Sequence, residues 1–330
     1  MKKATVLITS FEKRAYLFDA INSVTEQTFK DFDILLVVSK LFSQEEFNAY
    51  KPRINVVIDD DAQNKCDLLF NGIQLVKTDI IIFLDDDDLF TKDKVQIITE
   101  LFQQNESIEF IHNDYLKIFG GNYDKSMEIV DKMHDQLIYT QSIKEALKND
   151  SDSNLSSISI RKNLVLKYLP ILKMIDSGDD SFFLYCALDS HKCVINLSKK
   201  LTYYRIHASG STHYSGSFAG YLLRIREKLK SDVKTHQTYL DYFSNNQLAS
   251  IQGYRVSYYE TQQISYKHFF TPWMNKKFVE KMYGHFKWLS YSGKHPPKPI
   301  KYFLFFTMLI SSRLFVSINY VLSQYRIKRK

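Results

Sequence analysis

Short apolar runs separated by amphipathic stretches dominate the first hundred residues. Runs of aliphatic and β-branched residues predict four strands, at residues 4–8, 33–38, 55–58 and 79–84. Between the first two runs, apolar residues recur at helical spacing, at Leu17, Ala20, Ile21 and Val24. The fourth run has no polar alternation, which is typical of a parallel strand buried on both faces. The pattern predicts an α/β fold in which helices flank a mostly parallel, doubly wound sheet.

Weaker strand and helix patterns continue to about residue 214. Further strands are predicted at 108–112, 115–119, 156–161, 194–197 and 202–206, and helices at 67–76, 93–104, 163–169 and 181–190. The polar stretch between Asp124 and Asp152 is interpreted as an insertion or a lid. Beyond Ser215 the pattern becomes helical, and prolines at 296, 297 and 299 interrupt it before an apolar tail.

Four consecutive carboxylates follow the fourth predicted strand, at Asp85, Asp86, Asp87 and Asp88. Such a density of like charge needs a counter-ion, and carboxylate oxygens suit Mg²⁺ or Mn²⁺. Ligands in open α/β sheets also bind beyond the carboxyl ends of the strands. Because a divalent ion held by few side chains keeps positions open for phosphate oxygens, the sequence predicts a metal site for a nucleotide diphosphate.

Composition narrows the class of protein. The 330 residues are 45% hydrophobic and 25% charged, which excludes a disordered chain. The three cysteines, at 66, 186 and 193, lack the paired spacing of a zinc or redox site and predict free thiols in a reducing compartment. The first residues do not resemble a secretory signal. We therefore expect a cytoplasmic protein.

The formal net charge of +7 is concentrated toward the C-terminal end, where basic residues flank an apolar stretch at 302–322. An arginine near the bilayer centre costs about 2.5–3.5 kcal/mol, so Arg313 makes a spanning helix marginal. An interfacial helix or hairpin with Tyr302, Tyr320 and Tyr325 at headgroup depth fits better. The prediction is peripheral or monotopic association with the anionic inner face of the cell membrane, without a nucleic-acid partner. A buried C-terminal helix, or a homo-oligomer contact through the C-terminal helices, stays open as the alternative.

Several segments resemble motifs of the family 2 glycosyltransferases of the GT-A fold, which transfer a sugar from a nucleotide diphosphate with inversion at the anomeric carbon. They are VLITSFEK at 6–13, AINSVTEQTF at 20–29, FLDDDD at 83–88, GDD at 178–180 and YRIHASGS at 204–211. The resemblance covers roughly the first two-thirds of the chain. It implies a GT-A domain at 1–214, with a donor half at about 1–120 and an acceptor half at about 121–214. A helical extension at 215–295 and a membrane-associating tail at 296–330 would follow.

The resemblance assigns roles within the acidic run. Asp87 is implied to be a direct metal ligand, and Asp85 to contact the metal or the ribose of the donor. A Mn²⁺ or Mg²⁺ ion held there would neutralise charge on the departing diphosphate. Asp86 is interpreted as support for donor binding and Asp88 as a helix cap.

The general base is implied to be Asp180, with Asp179 beside it to position or tune it. Inverting transfer needs one carboxylate to take the proton of the attacking acceptor hydroxyl. Two adjacent acids raise each other's pKa when they are desolvated together, which suits a base that works near neutrality. The alternative is that either residue only caps the helix that follows.

The loop after the first strand, Thr9, Ser10, Phe11 and Glu12, is implied to hold the base and ribose of the donor. Ser39 stands where the family often has an aspartate that reads the base, so the nucleotide stays open, with a UDP-sugar favoured. Lys65 is a candidate phosphate contact or a counter-charge to the three acids at 59–61.

Two residues of the last motif complete the predicted site. Arg205 is interpreted as a charge clamp on the donor, and His207 as a metal or diphosphate ligand through its neutral imidazole.

Two other functions compete with sugar transfer to a glycan or lipid-linked acceptor. A haloacid-dehalogenase-type phosphatase also places Asp-x-Asp after an apolar strand, but it normally uses the first strand of its core. A non-catalytic membrane-bound binding protein could keep the fold, as the serine at position 39 allows.

Overall fold

The structure is a computed structural model, and it describes residues 2–119, 136–207, 217–267, 276–291 and 298–328. The chain forms two compact units. The first comprises residues 1–142 and 151–205, and the second comprises residues 143–150 and 206–330. Part of the polar stretch predicted to be an insertion, at 120–135, lies outside the described residues.

A nine-stranded mixed sheet forms the centre of the first unit. Its strands are β1 (Ala4–Ser10), β2 (Phe32–Ser39), β3 (Asn55–Asp59), β4 (Ile80–Asp85), β5 (Leu89–Phe90), β6 (Ile108–Phe119), β7 (Leu137–Thr140), β8 (Ile158–Arg161) and β9 (Cys193–Ile206). The spatial order is β3-β2-β1-β4-β8-β6-β9-β5, and β7 also pairs with β9. Strands β1 to β4 are mutually parallel where they pair, whereas β8 runs antiparallel to β4 and to β6. The predicted α/β class and its four-strand parallel half are confirmed.

The helices are α1 (Leu17–Thr25), α2 (Lys65–Leu75), α3 (Lys94–Gln104), α4 (Ile143–Lys148), α5 (Lys162–Leu166), α6 (Leu169–Leu172), α7 (Asp179–Asp189), α8 (Phe218–Tyr242), α9 (Asn246–Lys267), α10 (Lys276–Tyr291), α11 (Lys298–Ile310) and α12 (Ser312–Lys328). The helical spacing of the four apolar residues in α1 is explained by burial, because all four lie in the core. Short 3₁₀ turns occupy Gln44–Tyr50 and Leu155–Ser157.

The central strands of the parallel half, β1 and β4, are buried because, apart from Asp85, their side chains are apolar or small hydroxyl groups, whereas the edge strand β3 is half-exposed. Every residue of β1 is buried, and in β4 only Asp85 reaches partial exposure. Thr9 at the end of β1 lies opposite Asp85 at the end of β4. The loops after these two strands therefore leave the sheet side by side, at the edge where the acidic run begins.

Two predicted strand breaks are wrong. Residues 108–119 form the single strand β6, and 193–206 form the single strand β9, where the sequence predicted two strands each. Asn113 lies in the predicted break, but it is fully buried and its amide nitrogen donates to Thr202 Oγ1 at 3.0 Å. A cross-strand hydrogen bond thus satisfies the amide donor inside a continuous strand.

The described residues of the second unit are mainly helical, as the pattern beyond Ser215 predicted. Buried polar bonds join three of its helices: His236 Nδ1 lies 3.0 Å from Gln252 Oε1, between α8 and α9, and His285 Nδ1 lies 2.5 Å from Thr261 Oγ1, between α10 and α9. Burial lowers the pKa of His285 to about 3, so this imidazole is neutral at physiological pH. Among the described helices, none combines the length and apolarity needed to cross a bilayer.

Helix α2 packs so closely on the sheet that Gly72 has no room for a side chain. A Cβ atom there would lie 2.7 Å from Leu7 Cδ1 and 3.3 Å from Val37 Cγ2, and both neighbours are buried in the sheet. We expect Gly72→Ala to lower the free energy of unfolding by about 1–3 kcal/mol, measured by urea denaturation. Gly253→Ala in α9 is the control, because its Cβ would meet no atom within 4 Å. Equal stability of the two variants would contradict the packing.

Candidate active site

Three carboxylates of the acidic run converge beyond the end of β4. One oxygen from each of Asp85, Asp87 and Asp88 lies within 4.8 Å of the others, close enough for one cation to contact all three. The two predicted ligands, Asp85 and Asp87, are thus brought together, and the structure adds Asp88. Oxygen ligands of this kind suit Mg²⁺ or Mn²⁺.

Asp88 does not cap a helix, because it is fully buried and the next helix begins at Lys94. Its Oδ1 accepts a hydrogen bond from the backbone N–H of Arg205 at 2.8 Å. Its Oδ2 is buried and has no hydrogen-bond partner among the described residues. Burial and the charges of Asp87 and Asp85 raise the pKa of Asp88 well above its ordinary value. A cation at this point would satisfy the orphaned oxygen and stabilise the charged form, so the residues fit a divalent metal.

Asp86 turns toward the loop after β1 rather than toward the other three acids. Ser10 Oγ donates to its Oδ2 at 2.5 Å, and Arg14 Nη1 lies 3.3 Å from its Oδ1. Burial and the neighbouring charge of Asp87 raise its pKa to about 7. Ser10 and Asp86, each assigned to donor binding by the sequence analysis, thus form a direct contact between the loops that follow β1 and β4.

Arg14 is a site residue that the sequence analysis missed. Its guanidinium bonds Asp87 Oδ2 at 2.7 Å and also contacts Asp86 and Glu12. The available signal was topological: Arg14 follows β1, and parallel neighbours such as β1 and β4 open on the same edge of the sheet. Arg14 provides positive charge at the position where the predicted metal and diphosphate would bind.

Lys65 begins helix α2 and bridges the two groups of acids in the site. Its Nζ lies 2.5 Å from Asp85 Oδ1 and 2.8 Å from Asp179 Oδ2. Burial alone would lower the pKa of Lys65, but the charges of Asp179 and Asp85 raise it above its ordinary value. The interpretation of Lys65 as a counter-charge to the acids at 59–61 is wrong, because its ammonium group pairs with Asp85 and Asp179 instead.

Asp179 and Asp180 occupy the first turn of α7. The N-cap is Gly178, whose φ of 78° lies in the left-handed region that favours glycine. Asp180 Oδ1 accepts from the backbone N–H of Ser181 at 2.9 Å, and its Oδ2 accepts from that of Asn154 at 3.2 Å. Neither acid is therefore the N-cap residue itself.

The carboxyl group of Asp180 is tuned to titrate near neutrality. Burial is the largest cause, and the charges of Asp179 and Asp152 add to it, so its pKa rises to about 7. A carboxylate with this pKa is present in substantial amount at pH 7 and still has a useful affinity for a proton. This is the property that a general base requires.

Arg205 braces the acidic loop from within the first unit. Its side chain is completely buried; its Nε donates to the backbone carbonyl of Asp87 at 2.8 Å and its Nη2 lies 3.3 Å from Asp19 Oδ2. The guanidinium carbon also lies 4.3 Å from the ring centroid of Tyr16. These contacts hold the backbone of the acidic segment 85–88, whereas the sequence analysis interpreted Arg205 as a charge clamp on the donor.

The other predicted residues lie near the ends of β1 and β2, except His207, which lies after β9. Ser39 at the end of β2 donates from Oγ to the carbonyl of Phe11 at 2.6 Å, so it holds the loop after β1. Thr9 is buried and its hydroxyl has no hydrogen-bond partner among the residues that the structure describes. His207 is buried at the start of the second unit, and its metal role stays a prediction. Glu12 forms an ion pair with Arg14.

The fold and site define a class of enzyme that transfers sugars, and comparison with known proteins agrees. The sequence model named "Glycosyl transferase family 2" matches residues 5–165. Among curated relatives, an uncharacterized glycosyltransferase of Haemophilus influenzae is 22% identical over 76% of this chain and 79% of its own length. One from Nostoc is 25% identical over 66% of this chain and 68% of its own length.

Solved structures show the same fold at low sequence identity. TarS of S. aureus superposes with a TM-score of 0.54 at 13% identity, covering 98% of this chain and 91% of its own, and it has been solved with UDP and with UDP-GlcNAc. The mannosyltransferase PcManGT of Pyrobaculum calidifontis, in complex with GDP-Man and Mn²⁺, gives 0.53 at 10% identity, covering 99% and 88%.

Residues 5–165, just under half of the chain, match glycosyltransferase family 2, and the chain has the GT-A fold. It is a glycosyltransferase, and the phosphatase alternative fails because the Asp-x-Asp segment follows the fourth strand of this fold rather than the first.

We expect Asp87→Asn to weaken Mn²⁺ binding by about tenfold or more, because it removes a charged ligand from the three-acid group. The rise of the thermal unfolding midpoint with Mn²⁺ concentration measures this. Asp86→Asn is the matched control: Asp86 faces Ser10, and its pKa of about 7 means that a neutral group is already partly present. Equal Mn²⁺ dependence in Asp87→Asn and the unaltered protein would contradict the site.

Proposed function

We propose that this enzyme transfers a sugar from a UDP-sugar, with inversion, to a hydroxyl of a glycan or lipid-linked acceptor, and that Asp180 is the general base. The observation that carries the proposal is the division of the acids into two groups. Asp85, Asp87 and Asp88 form a candidate cation-binding group at the end of β4. Asp180 lies on α7, its carboxyl group accepts hydrogen bonds from the backbone N–H groups of Asn154 and Ser181, and its pKa is raised to about 7.

The donor is proposed to be a nucleotide diphosphate sugar bound at the edge where β1 and β4 end. Thr9, Ser10, Phe11 and Glu12 would contact its nucleoside, and the cations of Arg14 and Lys65 lie beside the acids that would face its diphosphate. Uridine is favoured by the UDP and UDP-GlcNAc complexes of TarS, and the GDP-Man complex of PcManGT makes guanosine the competing outcome.

In the reaction, the acceptor oxygen attacks the anomeric carbon while the bond from that carbon to the diphosphate oxygen breaks. The diphosphate leaves with the bonding electrons, and Asp180 takes the proton of the acceptor hydroxyl. Mn²⁺ or Mg²⁺ held by Asp85, Asp87 and Asp88 would supply charge stabilisation for the departing diphosphate. Lys65 positions Asp85 and Asp179 by pairing with both, and Arg205 holds the backbone of the segment that carries the metal ligands.

The acceptor half and a fourth metal ligand complete this proposal. We assign acceptor binding to residues 121–214 and donor binding to residues 1–120, within a domain at 1–214. His207 is kept as a metal ligand, so His207→Ala would raise the Mn²⁺ concentration that gives half-maximal activity. An unchanged requirement would remove His207 from the metal site.

We expect Asp180→Asn to lower the transfer rate by about 10²–10⁴-fold and to leave the binding of donor nucleotide nearly unchanged, since the amide cannot take a proton. A screen of nucleotide sugars by Mn²⁺-dependent thermal stabilisation identifies the donor, and product formation then measures transfer. Asp176→Asn is the control, because Asp176 is an exposed acid in the segment before α7. Near-normal turnover in Asp180→Asn would contradict the assignment of Asp180 as the general base.

The pH dependence follows from the raised pKa of Asp180. Its charged form is the base, so kcat/KM is expected to rise with pH through about 7 and to fall at lower pH as the carboxylate is protonated. Asp152→Asn removes one of the charges that raise this pKa, and the rise should then occur at lower pH. A profile that is flat between pH 5.5 and 8.5, or unmoved in Asp152→Asn, would count against Asp180 as the base.

A further inference from the structure

The outer side of helix α11 is apolar at every exposed position from Pro299 to Ile310. Among residues 299–310, the exposed ones are Pro299, Ile300, Phe303, Phe306 and Ile310, and none is polar. Phe303 and Phe306 are each 54% exposed, and Ile310 is 74% exposed. Ordinary surface helices carry polar residues on the side that faces water. This helix is apolar on both sides, because its inner residues Phe305 and Met308 lie in the core of the second unit.

Helix α10 adds exposed apolar side chains. Val279, Tyr283 and Phe286 are spaced by four and three residues, so they share one side of the helix. The Phe286 ring lies 5.8 Å from the rings of both Tyr302 and Phe305, which connects α10 to α11. We call the combined set the apolar face: Val279, Tyr283, Phe286, Ile300, Phe303, Phe306 and Ile310. Contiguous exposed apolar surface of this kind marks an interaction site.

The charge around the apolar face is mainly positive, with the exposed Glu280 beside Val279 as an acidic exception. The last 50 residues contain ten lysines and arginines and no aspartate or glutamate. Lys301 lies within α11, Lys287 extends over the Tyr283 ring in α10, and exposed Arg313 follows α11 directly. Basic side chains beside an apolar helix face are the pattern of helices that lie in the plane of a membrane.

We propose that the apolar face docks this enzyme on the surface of an anionic bilayer, with α11 lying in the membrane plane. An anionic lipid surface complements the positive charge, and the acyl chains complement the exposed rings. A second copy of the chain is disfavoured as the occupant, because pairing two such segments would bring twenty like charges together. The 13 residues of α11 span about 20 Å, less than the roughly 30 Å of a bilayer core.

The proposal changes which residues meet the lipid. The sequence predicted Tyr302 and Tyr320 at headgroup depth, but Tyr320 packs inward, with its ring centroid 5.0 Å from that of Phe218 and 5.2 Å from that of Tyr221. The phenylalanines at 303 and 306 take their place. Docking is independent of the reaction, so the face and the active site can be tested separately.

The test is flotation of the full chain with vesicles of phosphatidylcholine alone or with 30% phosphatidylglycerol. We expect the unaltered protein to bind the anionic vesicles, to bind the neutral ones at least about tenfold more weakly, and to be released by 0.5 M salt. Phe303→Gln with Phe306→Gln should weaken binding to anionic vesicles by about tenfold or more. Leu223→Gln is the matched control, because Leu223 is an equally exposed apolar residue of α8 outside the face.

Two readouts separate docking from misfolding and from self-association. The double variant should keep the thermal unfolding midpoint and its Mn²⁺ response, which shows that the fold and metal site are intact. The proposal is overturned if the unaltered protein ignores anionic vesicles, if neutral vesicles bind it equally well, or if the double variant binds as the control does. A dimer in sedimentation velocity that the double variant abolishes would assign the face to a second copy instead.

Discussion

The concentration of negative charge at one edge of the sheet is the constraint on which the rest of the first unit depends. Four acids lie at the end of β4 and directly after it, two more open α7, and burial makes each isolated charge costly. Arg14 from the β1 loop and Lys65 from α2 offset this cost by pairing with the carboxylates, and Arg205 from β9 donates to the backbone carbonyl of Asp87 and, through its backbone N–H, to Asp88. Each comes from a different part of the chain, so the acidic edge also fixes how these elements meet.

A fourth basic group lies deeper and bonds no carboxylate. Lys94 is fully buried; its Nζ donates to the carbonyl of Ser156 and to Thr202 Oγ1, and lies 4.0 Å from the Phe90 ring centroid. Burial lowers its pKa, which the nearby charge of Asp88 opposes. Ser156 in turn accepts the backbone N–H of Asp85 at its Oγ. Two contacts therefore hold the backbone of the acidic segment 85–88. Ser156, in the 3₁₀ turn before β8, bonds Asp85, and Arg205 bonds Asp87.

One of the basic side chains, Lys65, connects the candidate metal site with the proposed general base. Lys65 contacts Asp85 in the cation-binding group and Asp179 next to the proposed base. A change of charge at Asp85 therefore alters the electrostatic environment of Asp179, and the reverse, through the Lys65 ammonium group. Binding of a divalent ion and a diphosphate would redistribute the partners of Lys65 and Arg14, and the position of Asp179 beside Asp180 makes the base sensitive to that redistribution.

Local patterns were enough to predict β1, β4, α1 and the position of the acidic run. A strand buried on both faces and a helix with one apolar side can each be recognised from residues that are close in the sequence. The partners of Arg14 and Lys65 were not predictable in the same way, since each contacts acids that arrive from other strands and helices. The burial of Lys94 depends on contacts with distant segments, which the local pattern does not encode. Asp88 looked like a helix cap until β9 supplied the backbone donor that holds it.

The most direct measurement is the anomalous scattering of Mn²⁺ in crystals grown with the donor nucleotide. The account predicts one strong peak at coordinating distance, about 2.0–2.6 Å, from oxygens of Asp87 and at least one of Asp85 and Asp88. A peak elsewhere, or nucleotide bound with no Mn²⁺ at these three acids, would contradict it.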